Sequence, residues 1–159
     1  MATFKNLKDL QKWLEPQLAD MLLDSMEVES VLQDAMAKAI VEKVYNVYHP
    51  EVYERRGFNG GLSDPRNMKI TGISVQNGMI KLTFENLTMG ADNLENEYIG
   101  DLIEYGEGFN GKHWQNSQGE WAKPRPFSAE AARSLNENPT YLIQAVIKGL
   151  KERGFKVSL

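Results

Sequence analysis

Ile73-Ser-Val75-Gln-Asn77-Gly78-Met-Ile80-Lys-Leu82-Thr-Phe84 is the stretch on which the reading of this chain turns. Apolar residues alternate with polar ones on both sides of Asn77-Gly78, and a period of two puts them on one face of a strand. Asn-Gly favours the type I′ turn, whose twist matches the strands it joins. A tight turn there pairs Val75 with Ile80 and Ile73 with Leu82, with both pairs on the same face. Gly72 interrupts the alternation, and as a bulge it brings Ile70 onto that face as well. The pattern predicts a β-hairpin over residues 68–85.

On the N-terminal side of the hairpin, the period changes from two to helical spacing. Asn6 is a helix cap followed by Leu7, Leu10, Leu14, Leu18, Met21 and Leu22 on one stripe. Pro16 lies inside that run and lacks an N–H donor, so a kink or a restart is expected. Asp24 with Glu27 reads as a capping box. It opens a second helix with Val28, Val31, Leu32, Ala35, Met36, Ala39, Ile40, Val44 and Val47 on its apolar side. His49-Pro50 marks the stop, so the two helices occupy residues 6–48. Residues 51–67 form a loop, punctuated by Gly57, Gly60, Gly61 and Pro65.

Beyond the hairpin, residues 86–108 carry Asp92, Glu95, Glu97, Asp101, Glu104 and Glu107 with no basic residue. Tyr98, Ile99, Leu102, Ile103 and Tyr105 have the spacing of a short helix. Residues 106–126 make a long loop, more than compact domains usually tolerate without a purpose. Ser128 is a cap for a short helix over 129–135. Asn138-Pro139 opens a C-terminal helix over 139–153, with Leu142, Ala145, Val146, Gly149 and Leu150 as its stripe. Lys148, Lys151 and Arg153 stand near its end, where the dipole favours cations. Gly154 suits the C-terminal cap, and residues 155–157 suit an edge strand.

The 159 residues fit a single domain, since domains most often hold roughly 100–150 residues. A hydrophobic content of 42% supports a packed core. The net charge of −4 has the wrong sign for a dedicated nucleic-acid binder. There is no cysteine, which excludes disulfides, thiolate metal sites and cysteine nucleophiles. No apolar run is long enough for a bilayer and the first residues lack a signal sequence, so synthesis in the cytoplasm is expected.

No motif points to catalysis. His49 and His113 are far apart, with no companion at ligand or base–nucleophile spacing. Asp92-Asn-Leu-Glu95-Asn fails the calcium-loop pattern, because leucine occupies the third position and the sixth is not glycine. Pairs such as Glu95 with Asp101, or Asp101 with Glu104, have nothing beside them that marks a general acid and base. Gly57-Phe-Asn-Gly60-Gly61 lacks the spacing of a phosphate loop. The expectation is no catalytic residue, no metal and no cofactor. Arg55-Arg56, near Tyr45, Tyr48 and Tyr53, resembles a stacking surface for nucleic acid. Pairing with carboxylates, within the chain or on a neighbour, is the more ordinary role for two such arginines.

The order of short motifs adds a further clue. Tyr53-Glu-Arg55-Arg56-Gly-Phe-Asn-Gly-Gly-Leu62 precedes the hairpin. Tyr98 and Ile103-Glu104-Tyr105-Gly106-Glu107-Gly108 come after it, then Lys123-Pro-Arg125-Pro-Phe127 before the last helix. This order resembles the minor tail, tail-completion or head–tail connector family of siphophages, over most of the chain. There a Tyr-x-Arg-x-Gly-x-Leu segment, a segment ending in Gly-Thr-Gly and an Ala-Arg-Pro-Phe segment come in the same order.

The resemblance implies an α+β domain, with helices packed on a small antiparallel sheet. It implies a virion subunit that closes into a homo-oligomeric ring, sixfold, between the capsid connector and the tail tube. A ring uses heterologous interfaces, for which Arg55, Arg56, Phe109, Trp114, Trp121, Arg125 and Phe127 are the candidates. The aromatics of the long loop equally suit pinning it to its own core. Asp92, Glu95, Glu97, Asp101, Glu104 and Glu107 would face a channel through which DNA passes without specific binding. The alternatives are a phage-encoded regulatory or inhibitory binding protein and, behind it, a small hydrolase.

Overall fold

In the computed structural model, which describes residues 4–47, 49, 54–76, 78–90, 97–106 and 123–157, the hairpin has the register that its pattern dictates. β1 (Met68–Gln76) and β2 (Met79–Asn86) run antiparallel. Val75 pairs with Ile80, Ile73 with Leu82 and Ile70 with Phe84. The register shifts between Ile70 and Gly72, which is the bulge expected there. A two-stranded sheet alone is marginal in water. Its apolar face is covered mainly by α1 (Leu7–Asp24), and the base of β1 also touches α2 (Met26–Ile40).

Asn6 caps α1 by accepting from the Asp9 N–H at 3.0 Å. The helix runs through Pro16 without the expected restart. Pro16 takes the donor from the Lys12 carbonyl, and one residue on Gln17 Nε2 adds a side-chain bond to the Trp13 carbonyl at 3.0 Å. The cap of α2 is Ser25, one residue later than expected: its hydroxyl accepts from the Val28 N–H at 3.3 Å. Asp24 is still helical and ion-pairs with Arg153 at 2.9 Å.

α2 supplies the core. Val28, Met36, Ala39, Ile40 and Val44 are buried as its stripe predicts. Past Ile40 the helix widens into a single π turn, Val41–Tyr45, closed by the Asn46 N–H on the Val41 carbonyl at 2.9 Å. The extra residue rotates the end of the helix, so Val47 falls off the stripe and is 57% exposed.

The remaining helices are α3 (Ile99–Tyr105), α4 (Phe127–Glu137) and α5 (Thr140–Glu152). α4 packs on α2, and α5 lies on α1 and α2. α4 begins earlier than residue 129, and Ser128 sits inside its first turn rather than capping it. Pro139 precedes α5 directly. Gly149 lets α5 approach α1 closely, since a Cβ there would lie 2.7 Å from Met21 Sδ. Gly154 closes α5 with φ +85°. No strand forms over residues 155–157; Phe155 instead packs on Trp13, ring centroids 6.1 Å apart.

Among the described residues, five helices and one two-stranded antiparallel sheet make an α+β fold. Its core gathers Met36, Ile40, Val44, Leu62, Met68 and Phe127. We expect Gly149→Val to overpack the α1–α5 contact and cost about 1–3 kcal/mol. Urea unfolding checks this, and an unchanged midpoint would show that the two helices are not held so close.

Candidate functional site

The end of the molecule beyond α2 is built around the π turn. That turn presents Tyr45 with three contacts to loop 54–67. Its carbonyl accepts from Arg55 Nη1 at 2.9 Å, its ring lies 4.8 Å below the Arg55 guanidinium, and its hydroxyl accepts from the Ser63 N–H at 3.1 Å. Arg56 reaches the other way and donates to the Met89 carbonyl at 2.6 Å.

Asp64 is the centre of the loop. It is 1% exposed and accepts from the Gly60 N–H at 2.6 Å, the Arg66 N–H at 3.0 Å and Arg66 Nε at 2.9 Å. The Arg66 guanidinium, and after it the Gly60 N–H, hold its carboxyl well below the usual carboxylate range. Asp64 also caps the short 3₁₀ turn Pro65–Asn67 that leads into β1. The Gly61 carbonyl accepts from the Asp64 N–H at 3.1 Å, Asn67 Nδ2 at 3.2 Å and Thr88 Oγ1 at 3.3 Å. A Cβ at Gly61 would stand 2.5 Å from the Gly57 carbonyl oxygen, so the loop closes only over glycine. Asn86 Nδ2 donates to the Leu62 carbonyl at 2.7 Å and ties this loop to the end of β2.

From that end, Met89 bridges to Tyr98, and the Ile99 N–H donates to the Thr88 carbonyl at 3.0 Å as α3 begins. Gly106 stops α3 with φ +65°. The Arg125 N–H donates to the Ile103 and Glu104 carbonyls at 3.0 and 3.1 Å, so the chain returns to the spot it left. Glu104 is buried and accepts from both the N–H and the hydroxyl of Ser128, each at 3.0 Å. It supplies, from a distance of 24 residues, the acceptor that the first turn of α4 needs.

Hydrogen bonds thus fix this frame, and its outer surface keeps Phe58, Met89, Tyr98 and Tyr105 exposed. Among the described residues no group of three or more His, Asp or Glu is placed to hold a metal ion. Aromatic side chains on a fixed frame suit packing against another protein surface.

Residues 6–152 match the family model YomN. The chain belongs to the YomN family. This is a phage-derived family, represented by yom genes of Bacillus prophage, and it makes the chain a phage-encoded protein. No curated protein and no solved structure matches it. Among the described residues of this YomN chain, no helix is long and apolar enough to cross a membrane.

Within the YomN fold the predicted site residues separate. Arg56 is exposed and Arg55 half-buried, both in the frame. Phe127 is 2% exposed and Arg125 6%, so these two interface candidates are turned into the chain's own interior. Glu104 faces the α4 terminus and not a channel, because a helix start needs an acceptor there. Asp101 is exposed and Glu97 half-buried, on and beside α3. Asp92, Glu95, Glu107, Phe109, Trp114, Trp121 and His113 lie outside the described residues. Sequence reasoning missed Asp64, Arg66, Asn86 and the anchoring role of Tyr45. Asp64-Pro65 carried a usable signal, since Asp before Pro suits the start of a tight helical turn.

Two substitutions probe the frame. Glu104→Ala should cost about 1 kcal/mol, the usual loss of a helix cap, in urea unfolding. For Asp64 the folded carboxyl lies below its ordinary 3.8, so its stabilisation is complete above that pH and is lost as pH falls below it. Asp64→Ala should therefore unfold at lower urea than the parent near neutral pH, with the gap narrowing on acidification below about pH 4. A gap that widens in acid would contradict the Arg66 pairing.

Proposed function

We propose that this YomN protein is a non-enzymatic virion subunit of the phage head–tail junction, a ring component joining the capsid connector to the tail tube. The observation that carries the reading is the frame of loop 54–67. Its Arg55-to-Leu62 motif is spent on Tyr45, Met89 and the core, which leaves Phe58 outward on a fixed base. That is how a docking surface is prepared: Arg55, Arg56 and Asp64 are bonded within the chain, so a partner meets an ordered apolar surface. The shared order of short motifs with siphophage connector proteins supports the same reading. Asp101 and Glu97 leave negative charge at this end, where passing DNA would be repelled rather than held.

The test is particle assembly. Phage lacking this chain should give filled heads and tails that fail to join, and added purified protein should restore joined particles. Phe58→Ala should unfold at the parental urea concentration, because the ring is 63% exposed, yet restore joining about tenfold less well. Normal particles in the absence of the chain would end the proposal.

A further inference from the structure

The junction reading leaves the hairpin unexplained. A two-stranded sheet turns one row of backbone groups outward along each of its strands. The Leu87 N–H donates to the Asn67 carbonyl at 2.7 Å, so the next pair, Met68 and Asn86, is not bonded across the ladder. Bonded and unbonded pairs alternate along antiparallel strands. The N–H and C=O of Ile80, Leu82, Phe84 and Asn86 therefore point away from β1.

The two edges differ. On β1 the bulge beside Gly72 breaks the row, Gln33 Nε2 donates to the Met68 carbonyl at 3.0 Å, and α1 and α2 lie against the strand. Such features blunt an edge. β2 keeps an even register from Met79 to Asn86 and contains no glycine or proline. At Asn86 α3 closes it, since a Cβ on Gly100 would lie 3.2 Å from the Asn86 carbonyl oxygen. Before that point, the outward backbone of Ile80, Leu82 and Phe84 has no partner among the described residues. Their side chains are half-buried.

We infer that two copies of this chain pair β2 to β2, antiparallel about a two-fold axis at Leu82, into one four-stranded sheet. Only an extended chain presents N–H and C=O groups at the spacing of this row. The second copy carries such a strand, and its side chains select one register. Opposed residues must both turn their backbone outward or both inward, so the axis passes through a residue. An axis at Lys81 sets Lys81 against its own copy, which is unfavourable. An axis at Thr83 drives Ile80 onto Asn86, where α3 stands, and an axis at Phe84 drives Leu82 there. The axis at Leu82 opposes Ile80 with Phe84, Leu82 with Leu82 and Lys81 with Thr83. Three apolar pairs then lie on one face. On the other face Lys81 is diagonal to both Lys81 and Glu85 of the other copy, which offset each other. Glu85 accepts from the Thr71 hydroxyl, and Lys69 stands opposite it on β1. Four strands also relieve the marginal stability of two. A two-fold pair is closed and builds no ring, so the inference stands apart from the junction reading.

Charge exchange at the opposed positions tests it on the full chain. Thr83 is exposed, so Thr83→Lys should unfold with the parent in urea. It sets lysine against Lys81 at two places in the pair and should weaken dimerisation in sedimentation equilibrium about tenfold. Adding Lys81→Glu to the same chain turns both contacts into opposite charges and should restore the parental level. The register is read separately by disulfides, since the chain has no cysteine of its own. Residues 81 and 83 of opposite copies form an unbonded pair, with Cα atoms about 4.5 Å apart, within disulfide reach. Like positions are diagonal, roughly 7–8 Å apart, and out of reach. Oxidation should therefore link a mixture of Lys81→Cys and Thr83→Cys chains and neither variant alone. A parent that stays monomeric up to about 1 mM would overturn the pairing. So would a Thr83→Lys chain that dimerises normally, a double variant that is not restored, or a disulfide formed by either cysteine variant alone.

Discussion

Two strands have one face each to bury, and this hairpin buries fully only its root, while Ile73, Ile80 and Leu82 stay half-buried under α1. Met68 is fully enclosed, whereas Val75 and Met79 at the other end of the same pair are exposed. The fold therefore depends on the crossing of the hairpin's base with α2, where Ile40, Met68 and Phe127 meet from three separate elements. Full burial of such side chains is worth roughly 1.5–3 kcal/mol each. Domains of this size are stable by only about 5–15 kcal/mol. Three residues at one crossing are thus a large share of what holds the chain together.

A crossing of this kind forces backbone inward with it. The turn before β1 and the segment after β2 pass beside the core, so Ser63, Asp64 and Thr88 are enclosed although all are polar. A buried polar group left unpaired costs about 1–3 kcal/mol. The Asp64 carboxylate, the Gly61 carbonyl and Asn86 answer that cost with a mutually bonded set. The π turn belongs to the same solution. It breaks the regular advance of α2 where Tyr45 must turn its carbonyl and hydroxyl to the loop.

Features set by near neighbours were legible in the sequence. Asn77-Gly78 and the flanking alternation specified the hairpin's register down to the bulge at Gly72, because turn and pleat act over a few residues. The helices were legible for the same reason. The cap of α2 was misplaced by one position, since Asp24 and Ser25 are both good caps and only the Asp24–Arg153 pairing across the fold separates them. Glu104 could not be placed locally: its partner Ser128 lies 24 residues away, and Asp101, one turn earlier on the same helix, is exposed. Phe127 sits in a motif that suggested contact between subunits, yet its ring is needed where α3, α4 and the π turn converge.

The same separation of local from distant effects bears on function. An active site needs ionisable groups that converge and are held out of ordinary solvent. Among the described residues the two buried carboxylates have structural partners: Asp64 organises a loop and Glu104 starts a helix. The groups left at the surface are of a different kind, Phe58, Tyr98 and Tyr105 on one end, Met26 and lysines on the other. An apolar surface of this sort is costly to leave in water unless something covers it. With Arg55, Arg56 and Asp64 beneath already bonded within the chain, a covering surface gains from area and from rim charge, and little rearrangement opposes it.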